Sequence, residues 1–308
     1  MDNNRIILAG GSGFLGRALS RHLLAKGYEV VVLTRRVEPG KPPHRSGVTL
    51  VHWDGKTVGE WAQYLDGARA VVNFAGKNVD CRYTPENLRE IDGSRVDSVK
   101  AVGRAIAACE QPPGVLVQAA TLAIYGDAGD RVCDENAPLG EGIPPTTAKK
   151  WEAAFDATPT PGTRRVLLRI SFALDKNEGA MRRLCTVTRW FLGGPVGSGR
   201  QYISWIHVED LCRLFVWAIE NEHVQGLYNA TATEPVTNAE FMRQLRRAMR
   251  RPWSPRTPAW LVRAGCVLLR TESVLALTGR RGVPARLLRE GFEFQHPRLA
   301  EALSSLLT

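Results

Sequence analysis

At 308 residues, 44% hydrophobic and 23% charged, the chain has an ordinary globular composition and room for one large α/β domain or a nucleotide domain with a smaller lobe. Its six cysteines (81, 109, 133, 185, 212 and 266) include no CxxC pair, which argues against a disulfide framework or a metal ribbon and for reduced thiols in the cytoplasm. The net charge of +10 is concentrated between Arg243 and Arg289, where twelve arginines meet the single acid Glu272. Few aromatics interleave with them, so the stretch reads as a solvated face and no nucleic-acid partner is expected.

The first element is the apolar run Ile6–Ala9, a strand too short to be a secretory leader. Gly10-Gly11-Ser12-Gly13-Phe14-Leu15-Gly16 follows it and leads into helical spacing over Gly16–Lys26. A glycine turn between a buried strand and a helix N-terminus makes a phosphate cradle. Backbone N–H groups and the helix dipole point at the anion, and missing Cβ atoms let a pyrophosphate come close. The second strand, Glu29–Thr34, runs into Arg35-Arg36 with no acid. An acid there would hold a ribose 2′-OH, whereas arginine suits a 2′-phosphate, with Thr34 adding a hydroxyl. The predicted cofactor is therefore NADP(H). Past the third strand, Val48–His52, lies Asp54, either an adenine contact or a turn residue before Gly55. The fourth strand, Ala70–Phe74, ends in Asn73-Phe74-Ala75-Gly76, where small residues let the adenosine side of a cofactor cross the sheet edge.

Helical spacing over Glu86–Glu110 and Lys149–Asp156 alternates with strands Val115–Ala120 and Arg165–Ile170. This order predicts a Rossmann-type, doubly wound parallel sheet of the α/β class. Beyond residue 170 the alternation fades. One more strand–helix unit, Ile203 to Asn221, precedes a mostly helical tail broken by Pro252, Pro255, Pro258 and Pro284. The expected division is an NADP(H)-binding domain over 1–170, with 203–230 returning to it. Residues 171–202 and 231–308 then form a smaller, mostly helical substrate lobe. Within it, Ala259–Leu277 is apolar but broken by Arg263, Arg270 and Glu272. That pattern predicts a packed amphipathic helix rather than a membrane span, and no membrane partner is expected. No metal-ligand spacing occurs, so no metal is expected.

Several ordered motifs resemble one family. They are Glu90-Ile91-Asp92-Gly93-Ser94-Arg95, Lys150-Trp151-Glu152, the loop from Leu192 to Gln201, Trp205-Ile206-His207 with its flanks, Tyr228-Asn229-Ala230, Thr237-Asn238-Ala239-Glu240-Phe241, and Gly291-Phe292-Glu293-Phe294 with Pro297. Together they resemble the atypical extended branch of the short-chain dehydrogenase/reductase superfamily, in its epimerase-like (NAD-dependent epimerase/dehydratase) group with a small C-terminal helical domain. The resemblance implies cofactor contacts from Thr34, Arg35, Phe74 and Ala75, cofactor-side roles for Glu90 and Arg95, and a nicotinamide-side contact at Leu174.

Usual members of the superfamily carry a serine and a Tyr-x-x-x-Lys, the tyrosine acting as general acid/base. By that resemblance Thr121 takes the serine position and Lys150 is the counterpart of the lysine. The residue four before Lys150 is Thr146, and a register shifted by two puts Pro144 at the tyrosine position. Neither supplies the acid. Tyr125, which otherwise frames the pocket, and His207, which is otherwise a packed histidine, are the remaining proton-transfer candidates. The expected function is an NADP(H)-dependent oxidoreductase or epimerase on an unidentified small carbonyl or alcohol. The alternative is a non-catalytic NADP(H)-binding regulator. Either a monomer or a homodimer paired through Glu86–Glu110 fits.

Overall fold

Both faces of the first strand are apolar: Ile6 and Leu8 enter one core layer, Ile7 and Ala9 the other. A strand buried on both sides belongs inside a sheet covered by helices. The computed structural model, which describes residues 4–37, 47–268 and 270–307, places it there. Seven strands form the main sheet: β1 (Arg5–Ala9), β2 (Glu29–Thr34), β3 (Val48–His52), β4 (Ala70–Asn73), β5 (Val115–Thr121), β6 (Arg164–Ile170) and β7 (Gly226–Ala230). Their spatial order is β7-β6-β5-β4-β1-β2-β3 and every pairing is parallel. Ile6 pairs with Val30 on one side and Ala70 on the other, so the order reverses at β1. Open α/β sheets bind ligands in the crevice at such a switch point.

Helix α1 (Phe14–Ala25) and helix α5 (Val208–Glu220) cover one face; α2 (Pro85–Ala107) and α3 (Ile143–Ala157) cover the other. Thr84 caps α2 by accepting from the Asn87 N–H at 3.2 Å. Helix α3 begins six residues before its predicted start. Pro144-Pro145 fall in its first turn, where a missing N–H costs nothing. The seventh strand carries no alternating pattern long enough to be read in advance.

The remaining elements build a small lobe. Trp205–His207 pairs in parallel with Phe172–Leu174, outside the main sheet. Helix α4 (Gly179–Arg189), helix α6 (Asn238–Ala248) and the C-terminal helix Leu299–Leu307 gather around Trp205, Phe241 and Leu303. One sequence expectation fails in this lobe. Helix α7 (Ala259–Leu268), predicted to be packed, contains no buried residue. Its periodicity identified a helix, but Ala259, Val262 and Cys266 are only half-buried, while Trp260, Leu261, Val267 and Leu268 are exposed. Leu269, in the same stretch, is outside the described residues.

Candidate functional site

A cleft of about 1210 Å³ opens along the C-terminal edge of the sheet, from Arg35, Arg36 and Lys56 at one end to Thr121, Trp151 and Ile170 at the other. Its floor is the glycine turn. Gly10 has φ +72°, and a Cβ there would sit 2.7 Å from the Ala75 backbone. A Cβ on Gly16 would run into the Gly11 carbonyl, so glycine is what lets α1 start against the strand. At Gly13 a Cβ would meet only Gly10 O, at 3.9 Å, which leaves the turn open for a ligand. Gly13 is also the N-cap of α1 and offers no side-chain bond to the first-turn N–H groups. Those N–H groups face the cleft as donors for an anion. Gly10, Ser12, Gly13, Phe14, Leu15 and Gly16 line it, whereas Gly11 supports the turn from below.

At the end of β2, the Thr34 hydroxyl donates to Ser12 Oγ at 3.0 Å and accepts from the Arg36 N–H at 3.3 Å, tying the arginine segment to the cradle. Arg35 and Arg36 are exposed on the cleft rim. Asp54 lines the same rim, but its carboxylate accepts from the Lys56 N–H, the Thr57 N–H and the Thr57 hydroxyl at 2.8–2.9 Å. The Thr57 N–H, chiefly, holds its pKa below the ordinary value. Its geometry is that of a turn-forming aspartate. After β4, buried Asn73 fixes the next turn: its Oδ1 accepts from the Ala75 N–H at 3.0 Å, and its Nδ2 donates to Gln118 Oε1 at 3.0 Å. Phe74, Ala75 and Gly76 are thereby held against the cleft.

Glu90 and Arg95 both line the cleft but do not pair with each other. Glu90 is ion-paired with Lys77, which lowers its pKa. Arg95 donates from Nη1 to the carbonyls of Lys77 (3.0 Å) and Ile91 (2.9 Å) and lies 5.0 Å over the Trp151 ring. Burial lowers its pKa.

The candidate proton-transfer groups separate. Thr121 lines the cleft, and its hydroxyl oxygen accepts from the Ala123 N–H at 3.1 Å. Lys150 is placed elsewhere. The buried face of α3 carries Pro145, Ala148, Trp151 and Phe155, while Lys150 and Thr146 are exposed. Lys150 Nζ donates to Asp92 Oδ2 at 2.6 Å, outside the cleft lining. The helical period explains this: residues 148 and 150 are about 200° apart around the axis. Tyr125 is buried in a polar knot, its hydroxyl 2.7 Å from Asp134 O and 2.9 Å from Asn229 Oδ1 while accepting from Arg169 at 2.8 Å. Burial pushes its pKa up.

His207, 3% exposed, caps α5 by accepting the Glu209 N–H at Nδ1 (3.1 Å) and stacks on His296 with ring centroids 3.8 Å apart. Burial first and the His296 charge second bring its pKa down to about 4. Leu174 is likewise buried in the small-lobe core, away from the cleft lining. His207, Glu209 and His296 bring ligand-type atoms within 4.8 Å of one another, a cluster that sequence spacing did not reveal. In the neutral imidazole, an Nδ1 that accepts a backbone N–H leaves the proton on Nε2. Neither ring nitrogen of His207 then offers a metal a lone pair.

Sequence reasoning also passed over cleft residues that only tertiary packing brings in, chiefly Lys56, Lys77, Ser94 and Trp151. The rim is consequently rich in cations, which suits a polyanionic ligand.

Comparison with known proteins places these features in a wider group. The model of the NAD dependent epimerase/dehydratase family matches residues 6–148, and a domain of unknown function, DUF1731, matches residues 257–306. Epimerase family protein SDR39U1 of Bos taurus is 34% identical, with 98% of this chain and 99% of that protein aligned. Epimerase family protein YfhF of Bacillus subtilis is 31% identical over 98% of this chain and 97% of its own length. Among solved structures, human SDR39U1 (isoform 2), crystallised with NADPH, superposes with a TM-score of 0.87 at 33% identity, covering 98% of this chain and 99% of that one. No helix among the described residues is long and apolar enough to cross a membrane.

Proposed function

The chain belongs to the NAD-dependent epimerase/dehydratase family, and on that premise we propose that it is an NADP(H)-dependent oxidoreductase or epimerase acting on a small carbonyl or alcohol. The observation that carries the reading is the end of β2, where Thr34, Arg35 and Arg36 border the cleft beside the glycine cradle. A guanidinium presents paired donors to a phosphate, and each charge-assisted bond is worth roughly 1.5–3 kcal/mol. The 2′-phosphate of NADPH would be held there, and the pyrophosphate by first-turn N–H groups of α1. The free cysteines support a reducing, cytoplasmic setting.

When bound, the dinucleotide supplies hydride chemistry at its nicotinamide ring. Thr121 orients a substrate oxygen: its own oxygen is engaged by the Ala123 N–H, which leaves the hydroxyl hydrogen to donate. Arg95, partly desolvated and anchored through Nη1, adds positive charge beside the same end of the cleft. Trp151 and Ile170 wall that end with apolar surface.

A second reading, cofactor binding without turnover, is favoured by one feature: α3 turns Pro145, Ala148 and Trp151 inward and brings no proton donor to the cleft lining, its Glu152 being held by Arg169. One experiment separates the two. The protein is titrated with NADPH and NADH and then incubated with NADPH and a panel of carbonyl metabolites, following nicotinamide absorbance and product mass. Turnover that falls in Thr121→Val supports the enzyme. Tight binding with no turnover across the panel supports the second reading.

A further inference from the structure

Helix α7 is one part of a larger unpartnered face. Trp190 is 73% exposed, Trp253 and Trp260 are each 68% exposed, and Leu268 is 84% exposed. Two chain segments meet to form this face. Arg251 lies 5.0 Å over the Phe191 ring, and the Ser254 hydroxyl donates to the Phe191 carbonyl at 2.7 Å. Farther along, Gly194 lies against Pro255, Val196 bridges to Thr257, and Gly197 approaches Ala259. The run Trp190-Phe191-Leu192 and the run from Trp253 to Leu261 therefore lie side by side in one strip.

Its charge has a single sign. Residues 179–200 hold four arginines and residues 241–271 hold eight, and neither segment contains an Asp or Glu. The acids at its border are already engaged: Asp80 by Arg183 and the Thr271 hydroxyl, Glu272 by Arg82 and the Tyr83 N–H. Among the described residues only Arg183 and Arg243 of the twelve arginines are paired with an acid, so clustered, exposed tryptophans and aliphatics among arginines in excess form a contiguous patch of the kind that marks an interaction surface.

We propose that this face docks on an anionic lipid bilayer, with the protein lying on the membrane surface. Tryptophan favours the headgroup level, where its ring is apolar and its N–H is wet, and arginine binds lipid phosphates. Leu192, Leu261, Val267 and Leu268 gain burial at the acyl boundary, whereas phosphates and base edges offer them little. Pairing of two copies through this face would bring two positive surfaces together. The proposal departs from the sequence expectation of no membrane contact because that expectation rested on α7 being packed, and none of its residues is buried.

The test is flotation of the full chain with phosphatidylcholine vesicles, with and without phosphatidylserine. The protein is expected to float only with phosphatidylserine and to be released by salt. Arg250→Ser and Arg256→Ser each weaken binding about fivefold. Trp190→Ser with Trp260→Ser removes binding, while NADPH titration of every variant stays unchanged and reports an intact fold. No flotation with any vesicle, or equal flotation without phosphatidylserine, would overturn the proposal. So would a concentration-dependent dimer, or retention of single-stranded DNA, that these variants abolish in a protein that does not float.

Discussion

At the dinucleotide end of the cleft, the phosphate cradle beside the β2 arginines is carried by the main chain: a positive φ at Gly10, a Cβ-free approach at Gly13, and uncapped N–H groups at the start of α1. At the other end, everything depends on which way side chains point, and α3 points Lys149 and Lys150 outward. The first kind of site tolerates few substitutions but is fixed by a handful of consecutive residues. The second can lose a catalytic group through a change of helical phase with no change of fold. A firm binding half and an altered chemical half can therefore share one cleft.

The largest expected effect strikes the first end. Gly16→Val forces a branched side chain into the Gly11 carbonyl and should cost about 3 kcal/mol or more, with loss of NADPH binding. Denaturant melts and fluorescence titration check it, and a variant that still binds NADPH normally would break the contrast.

His207 gives the next effect, on stability. Its folded pKa is about 4 against an ordinary 6.5. Below pH 6.5 the unfolded imidazole takes up a proton that the folded one refuses until about pH 4. Stability from this residue is thus complete above about 6.5 and is lost as the pH falls across that window, by up to about 3 kcal/mol. His207→Asn keeps a capping acceptor and should flatten the pH dependence of urea midpoints between 6.5 and 4. An unchanged slope would mean that another group titrates there.

Thr121→Val sharpens the comparison at the chemical end. It removes the donor and should lower turnover about a hundredfold while NADPH affinity stays within about twofold. Equal losses in both would merge the two ends into one function. Lys150→Ala gives the smallest expected effect. Its ammonium is exposed and held by Asp92, so turnover and NADPH affinity should stay within about twofold of the parent. A hundredfold fall in turnover would restore Lys150 to the site.

How much of this was legible in the sequence follows the same divide. The glycine turn and the Arg35-Arg36 ending of β2 could be read because both are local, each set by neighbours within a few residues. The outward placement of Lys150 could not, since it depends on α3 starting at Ile143, two prolines ahead of the visible period. Nor could the fate of Tyr125, whose partners Asp134, Arg169 and Asn229 lie up to 104 residues away. Asn73 and Gln118 were hidden for the same reason, because their bond joins two strands. Helix α7 was legible as a helix and illegible as an exposed one, because amphipathic spacing says that a face is apolar and not what covers it.

The central claim is that the β2 arginines select a 2′-phosphorylated dinucleotide, and paired titrations of NADPH and NADH against the parent and Arg35→Ser/Arg36→Ser test it most directly. The parent is expected to prefer NADPH about a hundredfold, and the double variant to lose that preference while its NADH affinity is unchanged. Equal affinity for the two dinucleotides in the parent, or a preference that survives loss of both arginines, would contradict it.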